Sequence, residues 1–490
     1  MKKNKPNILF ILTDQQRRDS MKAYGNNWIN TPNLDSLSEK SFVFENTYVT
    51  QPVCTPARAS IMTGLYPQKT GLHRNNIPLD KNIDTIGDLI NENYYNAHMG
   101  KWHLGDDMIA QRGFDKWIGV EDFQRIRSTK KEYRYVESPY NNWLKSFGIN
   151  PPEIEKTYEA WVGNANLTEE QTQAGFLGHE ASKFITEFPK SAYKEKPWML
   201  FVNFFEPHPP YTGPFNGLYD PDKIEVGPSF RKRPDNGSLI NKLRSDFYMS
   251  GGVNPLGAEG GDIHDTTTEE GFRKLRAQYF ANVTLVDNQI GKILNALEES
   301  GESDNTIIIF TSEHGEMGGD HGMLEKRSLY EESSNVPLLI HVPELNNNNK
   351  TNIKGSISQV DLVPTILDLT SSEIPKTLHG NSLVPVLKGD ANLKNNDVFI
   401  QWNGMNDRNL GSPEINRMIA VPWRGVITGN RWKLNLSPGD QCELYDLNTD
   451  PYEMNNLFNF SGQKDRIRDM AARIRVWQDF TEDDMVLPTV

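Results

Sequence analysis

Three short apolar runs, each ending in residues capable of chemistry, constrain this chain more than any other feature. "PNILFILTDQQ" ends at Asp14, "PWMLFVNFFEPHPP" at Glu206 and His208, and "NTIIIFTSEHGE" at Glu313 and His314. A strand with one wet face alternates apolar and polar residues, whereas a strand buried on both faces reads as a continuous apolar run, as these do. Helical patterns lie between them: "DTIGDLINENYY" from Asp84, and Gly271 to Ser300, where Leu285, Ile290, Ile293, Leu294 and Leu297 recur at helical spacing. The alternation predicts an α/β fold with a large, mostly parallel sheet flanked by helices. Ligands of such sheets bind beyond the carboxyl ends of the strands, so the polar clusters are predicted to meet there.

The chain has 490 residues, more than the roughly 250–300 that one core usually serves. After Asp390 the texture changes to short strands such as "DVFIQWNG", "RGVITGNRWKLNL" and "CELYDLNTDP", then one amphipathic helix from about Gln463 to Phe480. This predicts a catalytic domain over residues 1–388 and a smaller C-terminal antiparallel sheet with one helix over 389–490. The stretch from Tyr211 to Thr268, rich in Gly, Pro and Asp, reads as loop, and "MLEKRSLYEES" reads as a solvated, charged helix start apart from Lys326.

Net charge is -13, which argues against a broad nucleic-acid footprint and requires any anionic substrate to meet a local basic cluster. No apolar run approaches the roughly 20 residues of a membrane span. The opening "MKKNKPNILFILTDQQ" reads as a first strand: its apolar run, Ile8 to Leu12, is short for a signal peptide and Asp14 interrupts it. The expected location is periplasmic or secreted if a leader has been removed from the chain, and cytoplasmic otherwise. Two cysteines far apart, Cys54 and Cys442, make a weak case for a disulfide framework.

Cys54 stands in "QPVCTPARASIMTGLYPQKTGLH". A lone cysteine serves as buried filler, as a thiolate nucleophile, or as a site of modification. A helix starting about Pro56–Ala57 would give this one a dipole, and Arg58, one turn along, could hold an anion or a modified side chain. The residues alone define an anion-handling position at a helix start.

Cys54-Thr55-Pro56-Ala57-Arg58 followed by "ASIMTGLYP" resembles the signature of the type I sulfatases, members of the alkaline-phosphatase-like superfamily, in which the cysteine is oxidised to formylglycine. The resemblance continues through "TPNLDSLSEKSFVFENTY", "GKWHLG", "SEHGEMGGDHGMLEK" and "VPLLIHVP" to "ELYDLNTDPYEMNNL", nearly the whole chain, and points to a bacterial carbohydrate sulfatase. Thr55 and Ala57 stand where serine is common.

Sulfate ester hydrolysis needs a nucleophile, neutralisation of the sulfuryl oxygens, and a proton for the leaving alcohol. Hydrated formylglycine suits the first need: one hydroxyl attacks sulfur, and deprotonating the other expels sulfate and restores the aldehyde. A hard divalent cation would lower the hydroxyl pKa, and the strand ends supply an oxygen-rich donor set of Asp14, Gln15, Glu313 and His314. By resemblance the ion is calcium, with magnesium or manganese as alternatives, and Cys54 after oxidation is a further ligand. Two departures stand out, Gln15 where a second Asp is common and Glu313 where Asp is usual.

The cationic set is Arg58, Lys101, His103, His208 and Lys326. By resemblance Arg58 holds formylglycine and Lys101 binds it and sulfate. His103 would be the base of the elimination step, while His208 and Lys326 would bind sulfate and protonate the leaving oxygen. His73 and Arg74, in "TGLHRNN", are candidates to reach the substrate. Asp19, Asp320 and Asp361 read as structural, and His321 as ordering a turn. Trp102, Trp161, Trp402 and Trp423 could stack on sugar rings, although tryptophans are more often core.

The leading expectation is therefore a sulfatase acting on a sulfated carbohydrate and needing a formylglycine-generating or anaerobic sulfatase-maturating enzyme as partner. The alternatives are a broad arylsulfatase, a phosphonate or phosphate ester hydrolase of the same architecture, and a non-catalytic glycan-binding homologue, which should lack one of Cys54, Arg58, Lys101 and His103.

Overall fold

The computed structural model describes residues 5–151, 166–252, 265–346, 348–404 and 412–490; Trp161 lies outside them. The strands in chain order are β1 (Asn7–Thr13), β2 (Phe42–Tyr48), β3 (Tyr95–Gly100), β4 (Lys116–Gly119), β5 (Trp198–Asn203), β6 (Thr306–Ser312), β7 (Asn335–Val336), β8 (Leu338–His341) and β9 (Thr351–Ser358). These nine form one sheet in the order β4-β3-β5-β1-β6-β8-β2-β7, with β9 paired to β2. The first five in that order run parallel, while β8 and β7 are antiparallel to their neighbours.

The apolar runs behave as their composition requires. In β1, Leu9 pairs with Leu200 on one side and Ile308 on the other, and successive side chains point to opposite faces. Ile8, Phe10 and Leu12 pack with Ile61 and Met62 of the helix Cys54–Thr63 and with the helix Leu362–Leu369. Leu9 and Ile11 pack with Phe176, Ile185, Ile290 and Leu297 of the helices Gln173–Glu187 and Glu269–Glu299. Both faces are covered, which is why the runs do not alternate.

A second, four-stranded antiparallel sheet holds β10 (Val398–Trp402), β11 (Trp423–Ile427), β12 (Trp432–Leu436) and β13 (Glu443–Asp446) in that order. The helix Lys464–Thr481 lays Ile467, Met470, Ile474 and Trp477 on Val426, Leu434 and Leu436. β10 is tied to the segment between β2 and Cys54, where Gln401 N donates to Thr50 O (2.8 Å).

Three local expectations are corrected. The pattern from Asp84 forms only the helix Ile86–Leu89, because Asn91 Oδ1 accepts from the backbone N of Asn93 (3.0 Å) and turns the chain into β3. The supposed loop after Tyr211 contains the helix Leu239–Met249, which buries Ile240, Arg244 and Tyr248. The stretch "MLEKRSLYEES" is not a solvated helix start: only Glu331–Ser334 is helical, and Lys326, Ser328 and Tyr330 are buried. The Arg244 guanidinium holds it down, donating to the carbonyls of Lys326 (2.5 Å) and Arg327 (2.9 Å). Cys54 and Cys442 are both free and buried. No helix among the described residues is long and apolar enough to cross a membrane.

Candidate active site

Four strand ends deliver the charged residues to one edge. Asp14 follows β1, Lys101 follows β3, Glu313 and His314 follow β6, and His208 lies five residues beyond β5. Backbone bonds beyond the regular ladders lock these ends together: Glu313 N to Thr13 O (3.1 Å), Phe204 N to Leu12 O (2.8 Å) and Lys101 N to Asn203 O (2.9 Å). The last contact needs Gly100, whose φ is +107° and where a Cβ would lie 2.0 Å from Asn203 O.

Cys54 is the first residue of its helix, two positions earlier than the sequence suggested, with Val53 before it in an extended conformation. Its Sγ lies 3.4 Å from His314 Nε2. One turn on, Arg58 Nη1 donates to Lys101 O (2.8 Å), its Nε contacts Glu313 Oε2, and its Nη2 lies 3.8 Å from Asp14 Oδ2. Lys101 Nζ pairs with Asp14 Oδ2 and lies 3.8 Å from Glu121 Oε1. The buried thiol would ordinarily resist ionising; Lys326, Lys101 and His314 outweigh burial and pull it well below the usual cysteine range.

Asp14, Cys54, Glu313 and His314 are all buried and present ligand atoms within 4.8 Å of one another. Asp14 Oδ1 has no hydrogen-bond partner, and burial followed by the Glu313 charge raises the Asp14 carboxyl above its ordinary value. His314 Nδ1 donates to Gly315 O (3.0 Å) and its Nε2 faces Asp14 (3.7 Å) and Glu313 (3.1 Å). Burial disfavours the charged ring, but Cys54 and Glu313 outweigh it and push His314 up to about 9, so a bound cation would take the place of the Nε2 proton. A hard divalent cation fits this donor set, which is short of positive charge at an orphaned oxygen. Gln15 belongs to the adjoining chain of hydrogen bonds, its Oε1 accepting from Lys326 Nζ (2.5 Å) and its Nε2 donating to Glu316.

Two other histidines of the site, His208 and His103, are held as neutral bases. His208 donates through Nδ1 to Pro209 O (2.7 Å), so Nε2 accepts from Lys326 Nζ (2.7 Å); burial, then Lys326, lowers it to about 4. His103 Nε2 contacts Asn76 Oδ1 (3.0 Å) while its buried Nδ1 has no hydrogen-bond partner, and burial lowers it to about 4.

His73 is half-buried and Arg74 exposed, on the loop whose Asn75 Oδ1 accepts from Thr55 N (3.0 Å) at the start of the Cys54 helix. Trp102, Trp402 and Trp423 are core residues, with none of them more than 6% exposed, so they offer no face to a sugar. Sequence reasoning missed Asn76, Glu121 and Glu316. Asn76 was three residues past His73 in the quoted motif, and Glu316 two past His314; Glu121 carries no local pattern, since only the pairing of β3 with β4 brings it to Lys101.

The comparisons agree with this geometry. The family model described as Sulfatase matches residues 6–372, and that described as N-sulphoglucosamine sulphohydrolase, C-terminal, matches residues 319–479. Among relatives, the uncharacterized sulfatase YidJ of Escherichia coli is 29% identical over 93% of this chain and 83% of its own length. The N-acetylglucosamine-6-O-sulfatase of Bacteroides thetaiotaomicron is 26% identical over the same shares, 93% and 83%. Among solved structures, the phosphonate monoester hydrolase of Agrobacterium radiobacter superposes with a TM-score of 0.76 at 25% identity, over 97% of this chain and 96% of that one. The architecture is that of the alkaline-phosphatase-like hydrolases. Within that class the chain belongs to the sulfatase family and is a sulfuric ester hydrolase.

Proposed function

We propose that this protein removes sulfate from a sulfated carbohydrate, using a nucleophile made from Cys54. The observation that carries the reading is the position of Cys54 itself: first in its helix, 3.4 Å from His314 Nε2, inside a buried ring of Arg58, Lys101 and Lys326 that suits a sulfuryl group better than a structural thiol. Oxidised to formylglycine by a maturating enzyme and hydrated, the position supplies one hydroxyl for attack and a second for release of sulfate. Asp14, Glu313 and His314, with Gln15 beside them, would hold a calcium ion, which when bound lowers the pKa of that hydroxyl and neutralises charge.

The remaining work falls to this chain's own side chains. Arg58 and Lys101 orient the modified residue and offset the charge of the sulfuryl oxygens. The unpartnered Nδ1 of His103 takes the proton in the release step, with Nε2 steadied by Asn76. Lys326, hydrogen-bonded to His208 Nε2 (2.7 Å), would with it bind sulfate and protonate the leaving oxygen. His73, half-buried, and Arg74, exposed, would contact the substrate. The identity of the Bacteroides relative as an N-acetylglucosamine-6-O-sulfatase supports a sugar substrate.

The test is the mass of the proteolytic peptide carrying Cys54, from protein expressed with a formylglycine-generating enzyme, followed by sulfate release from a panel of sulfated oligosaccharides. An aldehyde at position 54 and release of sulfate are expected; a thiol that persists beside a correctly matured control protein overturns the mechanism. The likeness to a phosphonate monoester hydrolase favours a second reading, tested by comparing kcat/KM for matched sulfate and phosphonate esters.

A further inference from the structure

The chain is acidic overall, with a net charge of -13, yet residues 125–135, "RIRSTKKEYRY", carry five cations against one carboxylate. Arg125 is paired with Asp122 (3.1 Å), while Arg127, Lys130, Lys131 and Arg134 are exposed. Arg127 donates to Gln124 Oε1 (2.8 Å) and Lys130 to the Tyr133 hydroxyl (3.0 Å), neutral acceptors that leave their charge facing solvent. Tyr135, next to Arg134 in the chain, is 84% exposed and leaves its ring open to a ligand.

This segment is tied to the active site where it begins and again at its middle. It leaves from Glu121, whose Oε1 lies 3.8 Å from Lys101 Nζ. It returns at Thr129, whose N and Oγ1 donate to the two oxygens of Asp106 (2.8 and 2.7 Å). Asp106 is three residues past His103, and three residues span at most about 11 Å. Asp106 itself takes a positive φ of 53° and His103 one of 60°, so the turn that aims His103 also carries the anchor of the basic strap.

We propose that residues 127–135 form a second anion-binding surface, which holds sulfate or carboxylate groups of a multiply charged glycan chain while one of its sulfate esters occupies the buried site. The inference rests on the reading above and adds to it that the substrate is a polyanionic chain rather than a single sulfated sugar. Overall charge repels such a chain only weakly at physiological salt, where screening acts over about 8 Å, so a local run of cations governs how it docks. Tyr135 offers an apolar face to a sugar ring lying between two charged groups.

The test uses the full chain carrying Cys54→Ala, which needs no maturation and turns nothing over, with a short dextran sulfate oligosaccharide as the probe and unsulfated dextran of equal length as control. Replacing Lys130, Lys131 and Arg134 together by alanine should weaken binding of the sulfated probe by at least about tenfold and flatten its salt dependence by about one unit of slope per cation removed. Restoring charge with Lys130→Arg and Lys131→Arg should restore it. In matured enzyme the same triple variant should lower the ratio of kcat/KM for a polysulfated over a monosulfated sugar about tenfold. Unchanged probe binding, equal binding of unsulfated dextran, or tighter binding of an oligonucleotide of matched charge each overturns the proposal. Failure of the underlying reading appears elsewhere, as no sulfate released from any sulfated sugar by the matured wild type.

Discussion

Asp14 and Asp320 are both buried carboxylates beside cations, and the fold treats them in opposite ways. Asp320 Oδ1 accepts from Ser229 Oγ (2.9 Å), and its Oδ2 takes Arg276 Nη1 (3.1 Å) and Arg17 Nη1 (2.9 Å). Burial alone would raise its carboxyl, but Arg276 and Arg17 hold it below the usual range. Asp14 has Lys101 on one oxygen and no hydrogen bond on the other, which His314 Nε2 approaches only to 3.7 Å, and burial with Glu313 nearby leaves it raised. A fully paired buried charge stabilises the loop it sits in; a half-paired one costs stability until a further charged partner arrives. The difference separates scaffold from site within one group of loops, because Arg17 follows Asp14 by three residues and also donates to the carbonyls of Glu316 (2.8 Å) and Met317 (3.0 Å).

That contrast can be broken from either side. The largest effect belongs to Cys54→Ala, which should lower kcat on a sulfate ester by at least about 10⁴-fold, as loss of a nucleophile does, while leaving the urea midpoint where it was. Asp14→Asn should cost about 10³-fold in kcat/KM, several kcal/mol of charge stabilisation, yet less than about 1 kcal/mol of stability in metal-free protein; a large drop in the urea midpoint would put Asp14 with the scaffold instead.

Asp320→Asn should do the reverse. It strips a charge from two buried guanidiniums and should cost about 3 kcal/mol of stability, with any loss of activity following the unfolded fraction. The pH dependence fixes the cause. The folded-state pKa of Asp320 is depressed, so its contribution is present above the ordinary carboxylate value of about 3.9 and is lost as pH falls through the folded value. The gap in urea midpoint between wild type and variant should hold constant from neutral pH to about 5 and close below about 4. The smallest effect is that of calcium, which at about 100 times its dissociation constant should stabilise the wild type by about 2.7 kcal/mol and Asp14→Asn by much less, read as a shift in Tm.

The legible part of this protein is the part that repeats a local rule. The run before Asp14 predicted β1, and the run before Glu313 predicted β6, because a strand covered on both faces leaves no polar alternation to misread. Leu285, Ile290, Ile293 and Leu297 likewise marked the long helix, found at Glu269–Glu299. The helical pattern after Asp84 failed because an Asn side chain competed locally for the backbone, and the charged stretch around Lys326 was misjudged because its burial depends on Arg244, about 80 residues away.

The sequence by itself determined which residues stand at strand ends and that a helix starts within two residues of Cys54 and carries Arg58, since strand period, helix start and motif order are properties of neighbours in the chain. Only the tertiary structure decided that Asp14 Oδ1 goes unpaired, that Lys101 faces Glu121, that Lys326 meets His208, and that the basic strap returns to Asp106. Those pairings join residues 20 or more positions apart, so sheet order and loop closure fix them, and no local pattern encodes a contact whose partners are chosen by the packing of the whole chain.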